Sequence, residues 1–314
     1  MPYRLDSRES VEQGLRRCAR EQLDSSIEEL TRGVRDDPVE SVHSARKALK
    51  KERSLLRLFR GALEPADRRR ETDALRHAGR LLSAARDAEV TIQALDDLSE
   101  RYAGQVPKRT FTAIHKQLTA ERDPARAGLL DSGLTGEVAD ELKAVRGRID
   151  DWHFKRAGWG AIESGLDRSY RRGRGARERA QTEPSFENLH EWRKHTKDLW
   201  YHLRVLTPTS PGIVGGQAKD AHRVGDLLGD DHDLAVLRDR LNDTADAITA
   251  DLDPVFGLID HRRDQLQEEA LLLGRRVYAE KPSAFERRLR RYWKAWRREA
   301  RAGGAPRPTA SVLG

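Results

Sequence analysis

The chain repeats one helical plan twice, and that repetition limits its fold more than any other feature. Val42-His43-Ser44-Ala45-Arg46-Lys47-Ala48-Leu49-Lys50 in the first half lies against Leu189-His190-Glu191-Trp192-Arg193-Lys194-His195-Thr196-Lys197 in the second. The offset, 190 − 43 = 147, pairs His43 with His190, Arg46 with Arg193, Lys47 with Lys194, Lys50 with Lys197 and, further on, Arg57 with Arg204. A second segment repeats at 227 − 81 = 146, where Leu81-Leu82-Ser83-Ala84-Ala85-Arg86-Asp87 meets Leu227-Leu228-Gly229-Asp230-Asp231-His232-Asp233 and Val90 meets Val236. Gly14-Leu15 and Gly165-Leu166 mark the corresponding point of each first helix. A chain written twice in this way predicts two like halves, a duplicated helical bundle about a pseudo-two-fold axis.

Composition agrees with helices. Only 37% of the 314 residues are hydrophobic and 35% are charged, but the charge is mixed, with 59 Lys plus Arg against 52 Asp plus Glu. Interspersed charge with abundant Ala, Leu, Arg and Glu suits amphipathic helices with hydrated outer faces, and the residues that strands favour are sparse. The fold class is therefore all-α. A net charge of +7 favours an anionic partner without choosing among DNA, RNA, a membrane surface and polyphosphate. One cysteine, Cys18, leaves no internal disulfide. The first residues, MPYRLDSRESVEQGLRRC, have no apolar core of the kind a signal peptide carries, and no stretch approaches the roughly 18 apolar residues of a membrane span. A soluble, cytoplasmic protein without a membrane partner is expected.

Punctuation places the elements. Asp6 or Ser7 opens a first helix that runs to about Val34, Pro38 opens a second to about Leu63, and Pro65 precedes a third, long one through about Arg101. Shorter helices follow over 106–123 and 134–152, and a second series covers about 157–181, 184–206, 214–242, 254–279 and 283–301. The halves span about 7–152 and 157–301, within a domain of 1–303, and the Gly- and Pro-containing residues 304–314 read as a disordered tail.

At about 100° per residue, positions +3, +4, +7 and +14 from His43 fall near −60°, +40°, −20° and −40°. His43, Arg46, Lys47, Lys50 and Arg57 thus share one stripe, with Arg53 at its edge. His190, Arg193, Lys194, Lys197 and Arg204 form the second stripe, shortened because Trp200 replaces Arg53. Like charges one turn apart repel, so such a stripe is either a solvated face or a site for an anion. Two drifted copies that agree at the cations favour the anion. His43 and His190 either meet that anion, which would strengthen binding as pH falls toward 6, or hydrogen-bond across the bundle interface; both roles stay open.

These two H-x-x-R-K-x-x-K helices, each followed by a helix with Leu-Leu and an Asp before Val, resemble the CHAD family, the histidine-containing α-helical domain. The resemblance covers about residues 7–300. It implies two four-helix bundles facing each other across a basic cavity, and binding of inorganic polyphosphate by the cations that line it. Polyphosphate suits these residues physically, because it needs charge-assisted hydrogen bonds and counterion release but no base stacking. Further candidates for the same surface are Arg17 and Arg20, the run with Arg168, Arg171 and Arg172, and Arg76, Arg80, Lys219 and Arg223 on the third helix of each half. The last helix, Arg287 through Arg298, is basic around most of its circumference and carries Tyr292, Trp293 and Trp296. It reads as a docked helix with snorkelling arginines ahead of a nucleic-acid or membrane-surface contact.

Two rival classes remain. A metal-dependent phosphohydrolase would use the His232-Asp233 doublet, with Asp230, Asp231 and His222 as helpers, but the first copy has Arg86 in place of the histidine. No nucleophile elbow, Gly-rich phosphate loop or Cys/His pair accompanies it, nor the E-x-E-x-K strand of triphosphate tunnel enzymes. No catalytic residue, metal or cofactor is expected. A nucleic-acid-binding protein would interleave aromatic or amide side chains with its cations, and the stripes largely lack them.

Overall fold

The computed structural model describes residues 3–82, 84–131 and 133–303, with side chains described for all of these except 84–88, 124–131 and 303. Among the described residues the chain is all-α. Its helices are α1 (Val11–Thr31), α2 (Pro38–Leu58), α3 (Pro65–Leu81), α4 (Ala84–Arg101), α5 (Lys108–Asp131), α6 (Leu134–Gly147), α7 (Glu163–Thr182), α8 (Phe186–Leu206), α9 (Ile213–Asp243), α10 (Asp253–Val277) and α11 (Pro282–Gly303). None is long and apolar enough to cross a membrane. The side chains of Arg86 and Asp87 and the expected tail at 304–314 lie outside what is described.

Local chemistry sets the boundaries. The first helix starts later than expected, because Ser10 caps it in a reciprocal capping box with Gln13. Asp37 caps α2 by accepting from the Val39 and Glu40 amides, with Pro38 in the first turn. Ser185 does the same for α8 through the Asn188 amide.

The halves then diverge. In the second, α7, α8, α9 and α10 pack in sequence and α10 returns to α7. In the first, the long third helix expected from sequence is two: α3 ends at Leu81 and α4 begins at Ala84. The Arg46 guanidinium stands where α3 ends, donating to the carbonyls of Leu82 at 2.6 Å and Gly79 at 3.4 Å. The end of a helix leaves carbonyls without a following turn of amides, and a side-chain donor can satisfy such groups. The corresponding Arg193 lies alongside Gly229 of an unbroken α9. With its helix broken, the first half closes around α1, α2, α3 and α6, while α4 pairs with α5 and lies on α9 of the other half. One buried apolar cluster runs through both halves, with Phe59, Trp152, Tyr170, Trp192 and Phe285 among its largest members.

Beside the α4–α9 contact, a second seam between the halves is formed by α2 with α7 and α8. A Cβ on Gly165 of α7 would overlap the carbonyl oxygens of Leu58 and Arg57, so only glycine allows this approach. Fully buried His202 of α8 spans the seam. Its Nε2–H donates to the Ser54 carbonyl at 2.9 Å, and its Nδ1 accepts from the Ser169 hydroxyl at 3.0 Å. Burial pushes this imidazole down to about 4, which keeps it neutral. Fully buried Glu52 of α2 has no hydrogen-bond partner at either carboxyl oxygen. Burial, and then the Glu71 carboxylate, push it up to about 8.

These two groups give stability opposite pH slopes. The folded state holds the Glu52 proton more tightly than the unfolded chain, so stability falls as pH rises from about 4.5 through about 8. It holds a His202 proton less tightly, so stability falls as pH drops from about 6.5 through about 4. Urea denaturation of Glu52→Gln should show a gain over the parent of about 2 kcal/mol at pH 8 that shrinks toward pH 5; parallel profiles would contradict the buried neutral carboxyl. Gly165→Ala should cost about 2–4 kcal/mol in the same assay, because backbone and not a movable side chain occupies the space.

Candidate functional site

Two cation-rich regions form around the α2–α8 contact. In the first, Arg53 and Arg57 of α2 lie near Arg76 and Arg80 of α3, and burial followed by those neighbouring charges lowers the Arg53 pKa. Two carboxylates answer them: Asp73 accepts from Arg76 at 3.4 Å, and Asp198 of α8 accepts from Arg57 at 3.0 Å through its Oδ1. Asp198 is itself almost fully buried, and desolvation raises its pKa despite Arg57.

The same region continues into Arg60, just past α2, with Arg68 of α3 and Arg168 and Arg172 of α7. Burial and then the charges of Arg168, Arg68 and Arg172 lower the Arg60 pKa, and burial followed by Arg172 and Arg68 lowers that of Arg168. No carboxylate among the described residues pairs with any of the four. The Nε atoms of Arg53, Arg68 and Arg168 are buried without a hydrogen-bond partner. His195 of α8 joins the two sets, close to Asp198 on one side and Arg172 on the other, and burial chiefly lowers its pKa. Crowded, partly desolvated guanidinium groups with unused donors carry a standing cost that an anion would relieve.

The second region surrounds the other end of α8. Lys47 and Lys51 of α2 approach Arg204, and burial and then Arg204 and Lys47 lower the Lys51 pKa. The Arg204 guanidinium lies 5.4 Å above the Trp200 ring and 6.0 Å above that of Tyr3. Beside it, an open groove of about 540 Å³ runs to the start of α9, lined by Trp200, Arg204, Lys219, His222 and the bare backbone of Gly212, Gly215 and Gly216.

Other candidates already have partners. Arg17 binds Glu9 at 2.5 Å and Glu21 at 3.1 Å, and Arg20 pairs with Asp150. Arg171 binds Asp167 at 2.7 Å, Lys194 binds Glu191 at 2.6 Å, Lys197 binds Asp226 at 2.8 Å and Arg223 binds Glu269 at 2.8 Å. Any anion reaching these cations competes with a carboxylate already in place. Arg46 serves the end of α3, and His43 and Lys50 are likewise engaged within the chain. Arg193 faces Gly229, and His190 packs against Phe186 and His232 of its own half, with ring centroids 6.4 Å and 5.1 Å away. Burial and Arg193 lower the His190 pKa. The histidine that crosses the seam is His202, which belongs to neither stripe.

Arg60, Arg68, Lys51 and His195 were not among the sequence candidates. Comparison of the two copies hid Arg60 and Arg68, whose counterparts are Thr207 and Val214. Helical spacing offers a signal for Arg60, which follows Arg53 by seven residues and lies about 20° from it. The H-D doublet does not converge. His232 sits with His190 and Phe186, Asp230 and Asp233 line a groove with Arg101 and Arg262, and His222 contacts Asp226 and Trp200.

The profile of the CHAD domain matches residues 17–242, well over half of the chain. The structure is similar to that of PptA from Streptomyces chartreusis, with a TM-score of 0.62 and 14% identity over 87% of this chain and 100% of that one. At that identity the likeness shows a shared fold. No curated protein matches the chain.

If the Arg60–Arg68–Arg168–Arg172 cluster is held together against its own repulsion, thinning it should stabilise the protein while blunting its response to anions. Arg168→Gln should gain about 0.5 kcal/mol in chloride. Its rise in melting temperature on exchange of chloride for sulfate at equal ionic strength should be smaller than that of the parent. Equal rises would mean that sulfate acts generally and not at this cluster.

Proposed function

The chain belongs to the CHAD family, and from that membership we propose that it binds inorganic polyphosphate and carries out no reaction on it. The observation that carries this reading is the set of Arg60, Arg68, Arg168 and Arg172, crowded together with no carboxylate among the described residues to neutralise them. A chain of phosphates meets that requirement directly. Each phosphate brings charge and acceptor oxygens, and guanidinium groups present paired donors to them. Arg53, Arg57 and Arg76 extend the contact along α2 and α3, and Arg204, Lys47 and Lys51 offer a second stretch. The first region has no exposed aromatic platform, which favours a polymer without bases over a nucleic acid. Binding of this kind would hold the protein on polyphosphate granules in the cytoplasm.

Isothermal titration with long-chain polyphosphate at two salt concentrations tests it. The triple variant Arg53→Gln, Arg68→Gln, Arg168→Gln should bind at least about a hundredfold more weakly and show a shallower salt dependence. The charge-matched control Arg122→Gln, Arg238→Gln, Arg240→Gln, which removes cations paired with Glu89, Asp260 and Glu121, should keep most of the affinity. Equal losses in both would reduce the interaction to net charge. Displacement of bound polyphosphate by single-stranded RNA at equal phosphate concentration would favour a nucleic-acid partner. Release of orthophosphate during incubation would show a reaction.

A further inference from the structure

The terminal helix α11 lies beyond the matched family segment and does two different things with its two faces. One face is docked. Phe285 and Leu289 are buried, Phe285 stacks on Tyr170 at 3.9 Å, and Trp293 meets Trp159 at 5.9 Å. Arg288 binds Glu280 at 2.6 Å, and Arg297 donates to the carbonyls of Ser7 at 2.7 Å and Glu9 at 2.6 Å. The helix is thus anchored along its length as a rigid rod.

The other face carries Arg287, Arg290, Arg291, Lys294, Arg298 and Arg301, all exposed. At about 100° per residue they fall near 0°, −60°, +40°, −20°, +20° and −40°, a band about 100° wide and about 21 Å long. No ion pair or hydrogen bond joins any of the six to another described residue. Glu286 is occupied by the Trp159 indole, which leaves Glu299 as the one other acid on the helix. Arg17, Arg171, Lys197 and Arg223 elsewhere on the surface are answered by carboxylates and these six are not, so the stripe is a continuous line of unneutralised charge on an anchored helix.

We infer that this stripe is a second, separate contact for polyphosphate, so that one long chain is held at both α11 and the arginine cluster. This inference rests on the polyphosphate reading above. Three features favour that occupant over other polyanions. The helix's aromatics, Tyr292, Trp293 and Trp296, are half-buried against the core and not set out beside the cations as a stacking platform. The outer face has no amide side chain to read base edges. It exposes no apolar side chain larger than alanine, so nothing inserts into a bilayer. Two contacts on one polymer make affinity depend on chain length, because the second contact forms within an already bound complex.

The test compares tripolyphosphate with long-chain polyphosphate on full-length protein carrying Arg287→Glu, Arg291→Glu, Lys294→Glu and Arg298→Glu. Tripolyphosphate affinity should match the parent, long-chain affinity should fall by at least about tenfold, and the salt slope should drop. The lysine variant at Arg287, Arg291 and Arg298 should restore long-chain binding, since a line of charge and not guanidinium geometry is required. Unchanged long-chain affinity overturns the proposal. So does a variant that loses duplex DNA or anionic vesicles while keeping long-chain polyphosphate. Failure of the parent to bind either phosphate chain removes the polyphosphate reading and this inference together, whereas loss confined to the variant's short-chain binding would place α11 within the first site.

Discussion

Everything in this fold hangs on how closely α2, α7 and α8 approach one another. Gly165 lets α7 rest on the carbonyls that end α2, and His202 then hydrogen-bonds to Ser54 on one side and Ser169 on the other. A charged imidazole could not sit there, and burial keeps this one neutral. Because the three helices approach so closely, residues from different helices and different halves converge on one surface. Arg57 reaches Asp198 across the seam, and Arg60 finds Arg168 and Arg172.

That convergence is electrostatically expensive. Guanidinium groups that would be hydrated on an isolated helix are brought within range of one another, and three of them keep a buried Nε without an acceptor. Other cations, Arg17, Lys197 and Arg223 among them, are neutralised by carboxylates. A surface left uncompensated amid so many satisfied pairs is preorganised for a ligand that supplies the missing acceptors. The polyphosphate reading and the outer stripe of α11 both follow from that contrast.

Residues at matching positions of the two aligned segments do different work in the fold. Arg46 and Arg193 occupy matching positions, yet one closes a broken helix and the other lies beside an unbroken one. Beyond the break α4 packs on α9, so the first half braces the second. Arg57 and Arg204 also match, but one pairs with a buried carboxylate and the other stacks over Trp200. Equivalent sequence positions therefore do not have equivalent chemistry here, because the neighbours they meet belong to helices that have diverged.

Much of this was legible in the residues alone. Amphipathic periodicity and capping chemistry are local, so the all-α class, most helix boundaries and the family resemblance could be read directly, and Pro38 and Pro65 each begin a helix as expected. The stripes lie on α2 and α8, two helices that meet each other in the fold. Which cations on them are available was not legible, since Lys197 is spent on Asp226 and Arg46 on the carbonyls of Gly79 and Leu82, all remote along the chain. Nor could one helix reveal that Arg60, Arg68, Arg168 and Arg172 come together from three. Sequence determined the helices and their charged faces through interactions a few residues long. Only tertiary structure decided which charges are neutralised and which are left crowded, because pairing and desolvation depend on neighbours that are remote along the chain.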